Sequence, residues 1–374
     1  MERQELGAKV VNITGVLERS RESKIISDET NKLKEEGFSK FQRRPKEYKY
    51  VMKPLFEERM RKLMPNSEDF DAFEKIVHTS PKNFIRCNTL KISSQELFDR
   101  LSKRWKITQP YQDYPEIMLI EQDLGPGELG NAIEHLLGYY YIQEISSMMS
   151  AIALDPKPGE MVLDLCASPG SKTTQIAAMM NNQGTLVAND LKLDRIRILS
   201  SNLERCGAAN TIVTKNDAIA LSGRIAKTSM RFDKILLDAP CSGEGTLRSS
   251  PKTFIMWNPK VIKKLSRLQK KLLAYALKCL KVGGSIVYST CTHGPEEDEE
   301  IVDFALNNFP VKVDAIKLPL KCREGITSWG KESYHEDVKK TCRIYPQDND
   351  SEGFFVSKMT LLEEIPERKG EIET

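Results

Sequence analysis

No apolar run in this 374-residue chain approaches the ~20 residues that a membrane-spanning helix needs. The first residues, Met1-Glu2-Arg3-Gln4-Glu5, lack the apolar stretch of a signal peptide, and their acids argue against an organellar transit sequence. A cytoplasmic chain without membrane attachment is expected. The eight cysteines contain no CxxC pair, so neither a zinc ribbon nor a disulfide framework is indicated. In a reducing compartment they are expected as thiols. The four histidines are isolated, and no metal site is expected. Charge of one sign is not in large excess. The net charge is +3 and the pI about 8.3, below the pI of about 9 that would by itself mark a nucleic-acid binder. Internal repeats are absent as well.

The length allows two or three domains, each able to bury its own core. Residues 1–65 are charged and helical in pattern, interrupted by Gly37 and Pro45. They read as an N-terminal extension. From Lys40 to Lys62 there are nine Lys/Arg against three Glu, with Phe41, Tyr48 and Tyr50 interleaved. That mixture suits phosphate contact and base stacking, or equally a solvated helical face. Residues 66–150 mix helix and strand signals and read as a small α+β unit. In it Phe84 to Leu90 is a strand, Ser93 to Leu101 a helix, and Gly125-Pro126-Gly127 a turn.

From about 151 to 374 the alternation becomes regular. Strands are expected at 161–165, 185–189, 211–213, 232–237 and 285–288, with helices between them and a long basic amphipathic helix over 261–280. Alternating strands and helices imply βαβ units and a parallel, doubly wound sheet. In the basic helix Lys260, Lys263, Lys264, Arg267, Lys270 and Lys271 are either phosphate contacts or an ordinary solvated face.

The first of these strands runs into Asp164-Leu165-Cys166-Ala167-Ser168-Pro169-Gly170-Ser171-Lys172. This is neither GxGxxG nor a Walker loop, but a turn of small residues lets a ligand approach the backbone N–H groups at a helix start. Asp190 ends the second strand, where an acid commonly holds ribose hydroxyls. Asp217 follows the third and could reach an adenine edge. Either acid alone is more often a helix cap. Their repetition at successive strand ends favours a nucleoside cofactor. Two cysteines then follow the fourth and fifth strands: Cys241 in Asp238-Ala239-Pro240-Cys241, and Cys291 in Ser289-Thr290-Cys291. Open α/β sheets bind ligands outside the carboxyl ends of their strands, so two thiols delivered to that edge suggest covalent chemistry. Cys87, Cys206, Cys279, Cys322 and Cys342 read as small buried hydrophobes.

DLCASPGSKTT from Asp164, ND from Asn189, LLDAPCSGEGT from Leu236, YSTCT from Tyr288 and RIYPQDNDSEGFFVSK from Arg343 together resemble the Nop/Sun (RsmB/Nop) family of S-adenosylmethionine-dependent RNA cytosine-5 methyltransferases. The likeness runs from about Asn83 to Lys358. Ser168 stands where alanine is common and Thr292 where serine is common, both conservative departures. The resemblance implies a Rossmann-like class I methyltransferase behind a small α+β RNA-binding domain and a helical N-terminal extension. It implies that the backbone of Cys166, Ala167, Ser168, Pro169, Gly170, Ser171 and Lys172 cradles the methionine part of S-adenosylmethionine. Asp190 would hold the ribose, Asp217 the adenine, and Arg195 would support the pocket. Asp238 would face both cofactor and base, Cys291 would be the nucleophile, and Cys241 would release the product. Transfer RNA is favoured as partner over ribosomal RNA, because little sequence remains for ribosome-assembly contacts. A monomer suffices.

The chemistry explains the residue types. Carbon 5 of cytosine is too poor a nucleophile to take a methyl from a sulfonium. A thiolate added to carbon 6 moves electron density onto carbon 5, and the hard step becomes easier ones. The thiolate is the reactive form, so the site must favour it. A paired duplex hides carbon 6, so the base must be unstacked or flipped. Two other readings stand beside this one: a DNA cytosine methyltransferase with Cys241 as nucleophile, and a non-catalytic RNA-binding assembly factor.

Overall fold

The computed structural model describes residues 51–366; most of the N-terminal extension and Lys40–Tyr50 lie outside them. Two helices come first, α1 (Pro54–Leu63) and α2 (Ser67–Ile76). They lead to β1 (Asn83–Cys87), α3 (Ser94–Leu101), β2 (Ile107–Thr108), β3 (Ile117–Ile120) and β4 (Tyr140–Ile142). These strands form an antiparallel sheet in the order β2-β3-β1-β4. Side chains alternate across a strand, and β1 uses both faces. Ile85 and Cys87 enter the unit's own core with Leu97, Trp105 and Tyr140. Phe84 and Arg86 point the other way, towards the larger sheet.

Helix α4 (Ile145–Leu154) crosses the expected boundary at 150 and is buried along nearly its whole length. The second unit follows as β5 (Met161–Asp164), α5 (Ser171–Met179), β6 (Thr185–Asp190), α6 (Leu193–Cys206), β7 (Thr211–Lys215), α7 (Ala218–Ala226) and β8 (Phe232–Asp238). Then come α8 (Lys252–Met256), α9 (Pro259–Leu277), β9 (Leu280–Thr290), α10 (Glu299–Asn308), β10 (Val311–Asp314), β11 (Arg323–Glu324), β12 (Cys342–Ile344) and β13 (Phe354–Leu361). The sheet order is β11-β12-β13-β9-β8-β5-β6-β7, with β10 also on β13. Strands β5 to β9 run parallel, and the last four are antiparallel additions. This is the Rossmann-like, doubly wound arrangement expected from the βα alternation. Strand order reverses between β5 and β8, and that switch point is where such sheets open a crevice.

One expectation needs correction. Cys322 and Cys342 are not free thiols: they form a disulfide with Cα atoms 5.1 Å apart. The pairing of β11 with β12 sets Glu324 opposite Cys342 and so brings together residues that are 20 apart in sequence. In the described part of the basic stretch the cations of α1 are paired, which fits the solvated helical face that is one of its two readings. Arg59 pairs with Glu244 and Glu296, Arg61 with Glu57, and Lys62 with Glu58. Phe56, Met60 and Met64 pack with Phe254, Trp257 and Tyr345 of the second unit, so α1 belongs to the body.

Candidate active site

The turn after β5 is built by glycine and by two reciprocal bonds. Gly170 has φ +105, and a Cβ there would stand 3.0 Å from Leu199 Cδ1, so only glycine makes the bend and lets α6 approach. The Ser168 hydroxyl donates to the Arg195 carbonyl at 2.8 Å, and the Arg195 guanidinium donates back to the Ser168 carbonyl at 2.5 Å. Asp190 accepts from the Ser168 and Lys192 N–H groups at 3.3 and 3.2 Å. Asp217 is exposed and caps α7, accepting from the Ala220 N–H at 2.9 Å.

Beside this turn lies a cleft of about 30 Å³ lined by Asp164, Cys166, Ala167, Ser168, Pro169, Ser171, Lys172 and Asp238. Asp164 is buried; one oxygen accepts from the Thr173 hydroxyl at 2.7 Å and the other has no partner. Burial pushes its carboxyl up to about 7, against the opposing Thr173 bond. An orphaned buried carboxylate oxygen beside free N–H groups at a helix start suits an ammonium together with a carboxylate. These are the groups at the amino-acid end of S-adenosylmethionine, so the residues present fit it.

Strands β8 and β9 are parallel neighbours with Asp238 opposite Ser289, and this register carries the two thiols together. The sulfurs of Cys241 and Cys291 are 3.2 Å apart. The hydrogen bond with Cys291, followed by burial, raises the Cys241 thiol well above its ordinary value. Asp238 accepts from Lys172 Nζ at 2.8 Å and from the Ser289 hydroxyl at 2.9 Å. Ser289 accepts in turn from Ser150 on α4 at 2.9 Å. Burial works against the Lys172 charge, but Asp238 outweighs it and raises the ammonium above its usual value.

A larger cavity of about 430 Å³ opens in front, lined among others by Phe84, Gln143, Glu144, Lys172, Asp238, Cys291 and Phe354. It shares Pro169, Ser171, Lys172 and Asp238 with the smaller cleft. Cys291 is in its wall, whereas Cys241 is not.

Comparison with known proteins is decisive. The model of the 16S rRNA methyltransferase RsmB/F family matches residues 151–360, and the N-terminal domain of 16S rRNA methyltransferase RsmF matches 52–145. The chain belongs to the RsmB/F methyltransferase family. It is 41% identical to a tRNA (cytosine(49)-C(5))-methyltransferase of Pyrococcus abyssi, over 84% of this chain and 97% of that protein. It is 38% identical to ribosomal RNA small subunit methyltransferase F of Vibrio cholerae, over 82% of this chain but 63% of that protein. A solved methyltransferase homologue from Pyrococcus horikoshii is 32% identical with a TM-score of 0.69, covering 83% of this chain and all of that one. Family membership makes the chain an enzyme that takes its methyl group from S-adenosylmethionine, as its motifs implied.

Several residues of this RsmB/F site escape a linear reading. Gln269 on α9 donates to the Pro240 carbonyl and to Glu297, both at 2.9 Å. Glu297 also accepts the Ser242 N–H at 3.0 Å. Together they clamp the Cys241 loop from behind. Burial raises the Glu297 carboxyl to about 7, and its Oε1 has no partner. A folded-state value above the unfolded one means stability is full below about 4.5 and lost as pH rises towards 7. Glu297→Gln imitates the protonated acid, so the variant is expected to lose less stability than the parent between pH 5 and 8. Melting midpoints of both proteins across that range check this; parallel profiles would contradict it. Asp164 has the same sign and leaves the variant a residual slope.

Arg86 is a second residue that escapes it. It is buried with no carboxylate partner among the described residues, and burial lowers its pKa to about 10. It donates to the Ser171 carbonyl at 2.7 Å and the Thr174 hydroxyl at 2.8 Å, and also to Gln143. The α+β unit is thereby fastened to the first turn of α5, at the cofactor cleft. Arg86→Leu strands these buried acceptors, each worth about 1–3 kcal/mol. A lower melting midpoint and weaker S-adenosylmethionine binding by calorimetry are expected. Unchanged cofactor affinity would show that the fastening does not reach the cleft.

Proposed function

We infer that this RsmB/F enzyme methylates carbon 5 of cytosine in transfer RNA, as a cytoplasmic monomer, with Cys291 as nucleophile. The observation that carries the assignment is the cavity wall. Cys291 lines the larger cavity at the edge where Lys172 and Asp238 also line the cofactor cleft, while Cys241, its sulfur 3.2 Å from that of Cys291, lines neither.

S-adenosylmethionine, when bound, supplies the methyl group. The Cys291 thiolate adds to carbon 6, and the π electrons of the C5–C6 bond move so that carbon 5 becomes nucleophilic. Asp238, held by Lys172 and Ser289, would meet the pyrimidine edge and steady the proton at ring N3. After methylation the carbon-5 proton leaves to a base, the double bond re-forms and the Cys291 sulfur departs. Cys241, with its sulfur 3.2 Å from that of Cys291, serves as the base or relay for this resolution. The turn from Cys166 to Lys172 holds the methionine end. Asp190 has lone pairs left for ribose hydroxyls, Asp217 would meet the adenine, and Arg195 fixes the turn.

Similarity supports transfer RNA over ribosomal RNA, with 41% identity to the Pyrococcus tRNA enzyme against 38% to the Vibrio rRNA enzyme. The chain spans nearly all of the Pyrococcus tRNA enzyme but under two thirds of the Vibrio rRNA enzyme. The test is methyl transfer from labelled S-adenosylmethionine to an unmodified tRNA transcript and to 16S rRNA, followed by bisulfite sequencing. 5-Methylcytosine in the tRNA, with position 49 the first to inspect, is expected. Label confined to 16S rRNA would move the assignment to that substrate.

A further inference from the structure

From Gly245 to Pro295 the chain contains ten lysines and arginines and no aspartate or glutamate, although 53 of its 374 residues are acidic. Helix α9 lies inside this segment. Lys260, Lys263, Lys264, Arg267 and Lys271 are all exposed, and none has an ion-pair partner among the described residues. At 100° per residue they fall within about 100° of arc and span about 16 Å of helix. The opposite side, with Ile262, Ser266, Gln269 and Leu273, is buried. Lys270, on the flank, is different: it pairs with Glu300 at 2.8 Å. Helix α1 shows the usual arrangement, with Arg61 and Lys62 each matched to a glutamate one turn back. Five unmatched like charges at neighbouring helical positions repel one another, so this face is unlike an ordinary solvated one.

The buried side of α9 also meets the catalytic loop, since Gln269 donates to the Pro240 carbonyl beside Cys241. The cationic face is thus rigidly coupled to the site without lining either cavity. We propose that this outer face of α9 is a docking surface for the phosphate backbone of the RNA, away from the pocket that takes the target base. It rests on the reading of the chain as an RNA methyltransferase. Exposed Ile255 and Met256 on α8, and Val261 and Leu268 beside the cations, offer apolar contact to sugars and unstacked bases.

The test is the Lys263→Gln/Lys264→Gln/Arg267→Gln/Lys271→Gln protein against the parent, with a tRNA transcript at several salt concentrations. Neutralising four phosphate contacts should weaken RNA binding on the order of tenfold or more at low salt. It should also reduce the slope of log Kd against log salt by roughly 3. KM for RNA rises in step, and S-adenosylmethionine affinity, measured separately, reports that the fold is intact. Lys339→Gln/Lys340→Gln, which removes two cations paired with Glu336 and Asp337, serves as control and should keep the parental slope. An unchanged slope and Kd in the quadruple variant, with a parent that binds and methylates the RNA, would overturn the proposal and leave the face to an acidic protein. A parent that methylates no RNA would instead defeat the functional reading itself.

Discussion

Cys291→Ala is expected to reduce RNA methylation to background while S-adenosylmethionine still binds, and Cys241→Ala is expected to accumulate a covalent protein–RNA adduct. The asymmetry follows from the two sulfurs' positions. Cys291 is in the wall of the 430 Å³ cavity beside Asp238 and Lys172, so its loss removes the bond that activates carbon 5. Cys241, outside that wall, has its sulfur 3.2 Å from that of Cys291, and that hydrogen bond and burial raise its pKa above the ordinary value. Without it the adduct still forms, but its breakdown slows. A denaturing gel with labelled RNA reads both outcomes. Adduct that forms without Cys291 and requires Cys241 would exchange their roles and favour the DNA-enzyme arrangement.

Gly245→Ala should damage the site. The Gly245 N–H donates to the Cys291 carbonyl at 2.9 Å, and its own carbonyl accepts the Gly353 N–H at 2.8 Å. These bonds join the loops after β8 and β9 to the approach to β13. A Cβ at 245 would stand 2.3 Å from the Gly353 oxygen and 3.0 Å from the Cys291 oxygen. Both obstacles are backbone, so no side-chain rotation relieves the overlap. A cost of about 3 kcal/mol is expected, lowering the melting midpoint by roughly 5 °C or more, together with loss of methylation as Cys291 shifts. Gly130→Ala, where a Cβ meets nothing within 4 Å, is the control and should behave like the parent. A Gly245→Ala protein with parental midpoint and rate would refute this account of the loop junction.

The parallel half of the sheet was legible because strands buried on both faces read as short apolar runs between helices. Met161–Leu163 and Ile235–Leu237 are examples. The cofactor turn and both thiols were visible because each ends such a strand. Arg86 was not, because its partners Ser171 and Thr174 lie far along the chain and on the other unit. Glu297 reads as one of five consecutive acidic residues, Glu296 to Glu300; its function as a clamp depends on the buried face of α9. The Cys322–Cys342 disulfide depends on the pairing of two short antiparallel strands, which no local pattern announces. The same holds for the unmatched cations of α9. Composition shows their excess, and only the pairing of Lys270 and burial of the opposite face separate them from an ordinary helix surface.

The most direct measurement uses RNA whose target cytosine carries fluorine at carbon 5. Addition to carbon 6 and methylation can proceed, but fluorine cannot leave as the proton does, so the protein stays bonded to the base. Protease digestion and mass spectrometry of the trapped complex then identify the bonded residue. The account predicts a methylated, fluorinated cytosine attached to the peptide containing Cys291. Attachment at Cys241, or no S-adenosylmethionine-dependent adduct at all, would contradict it.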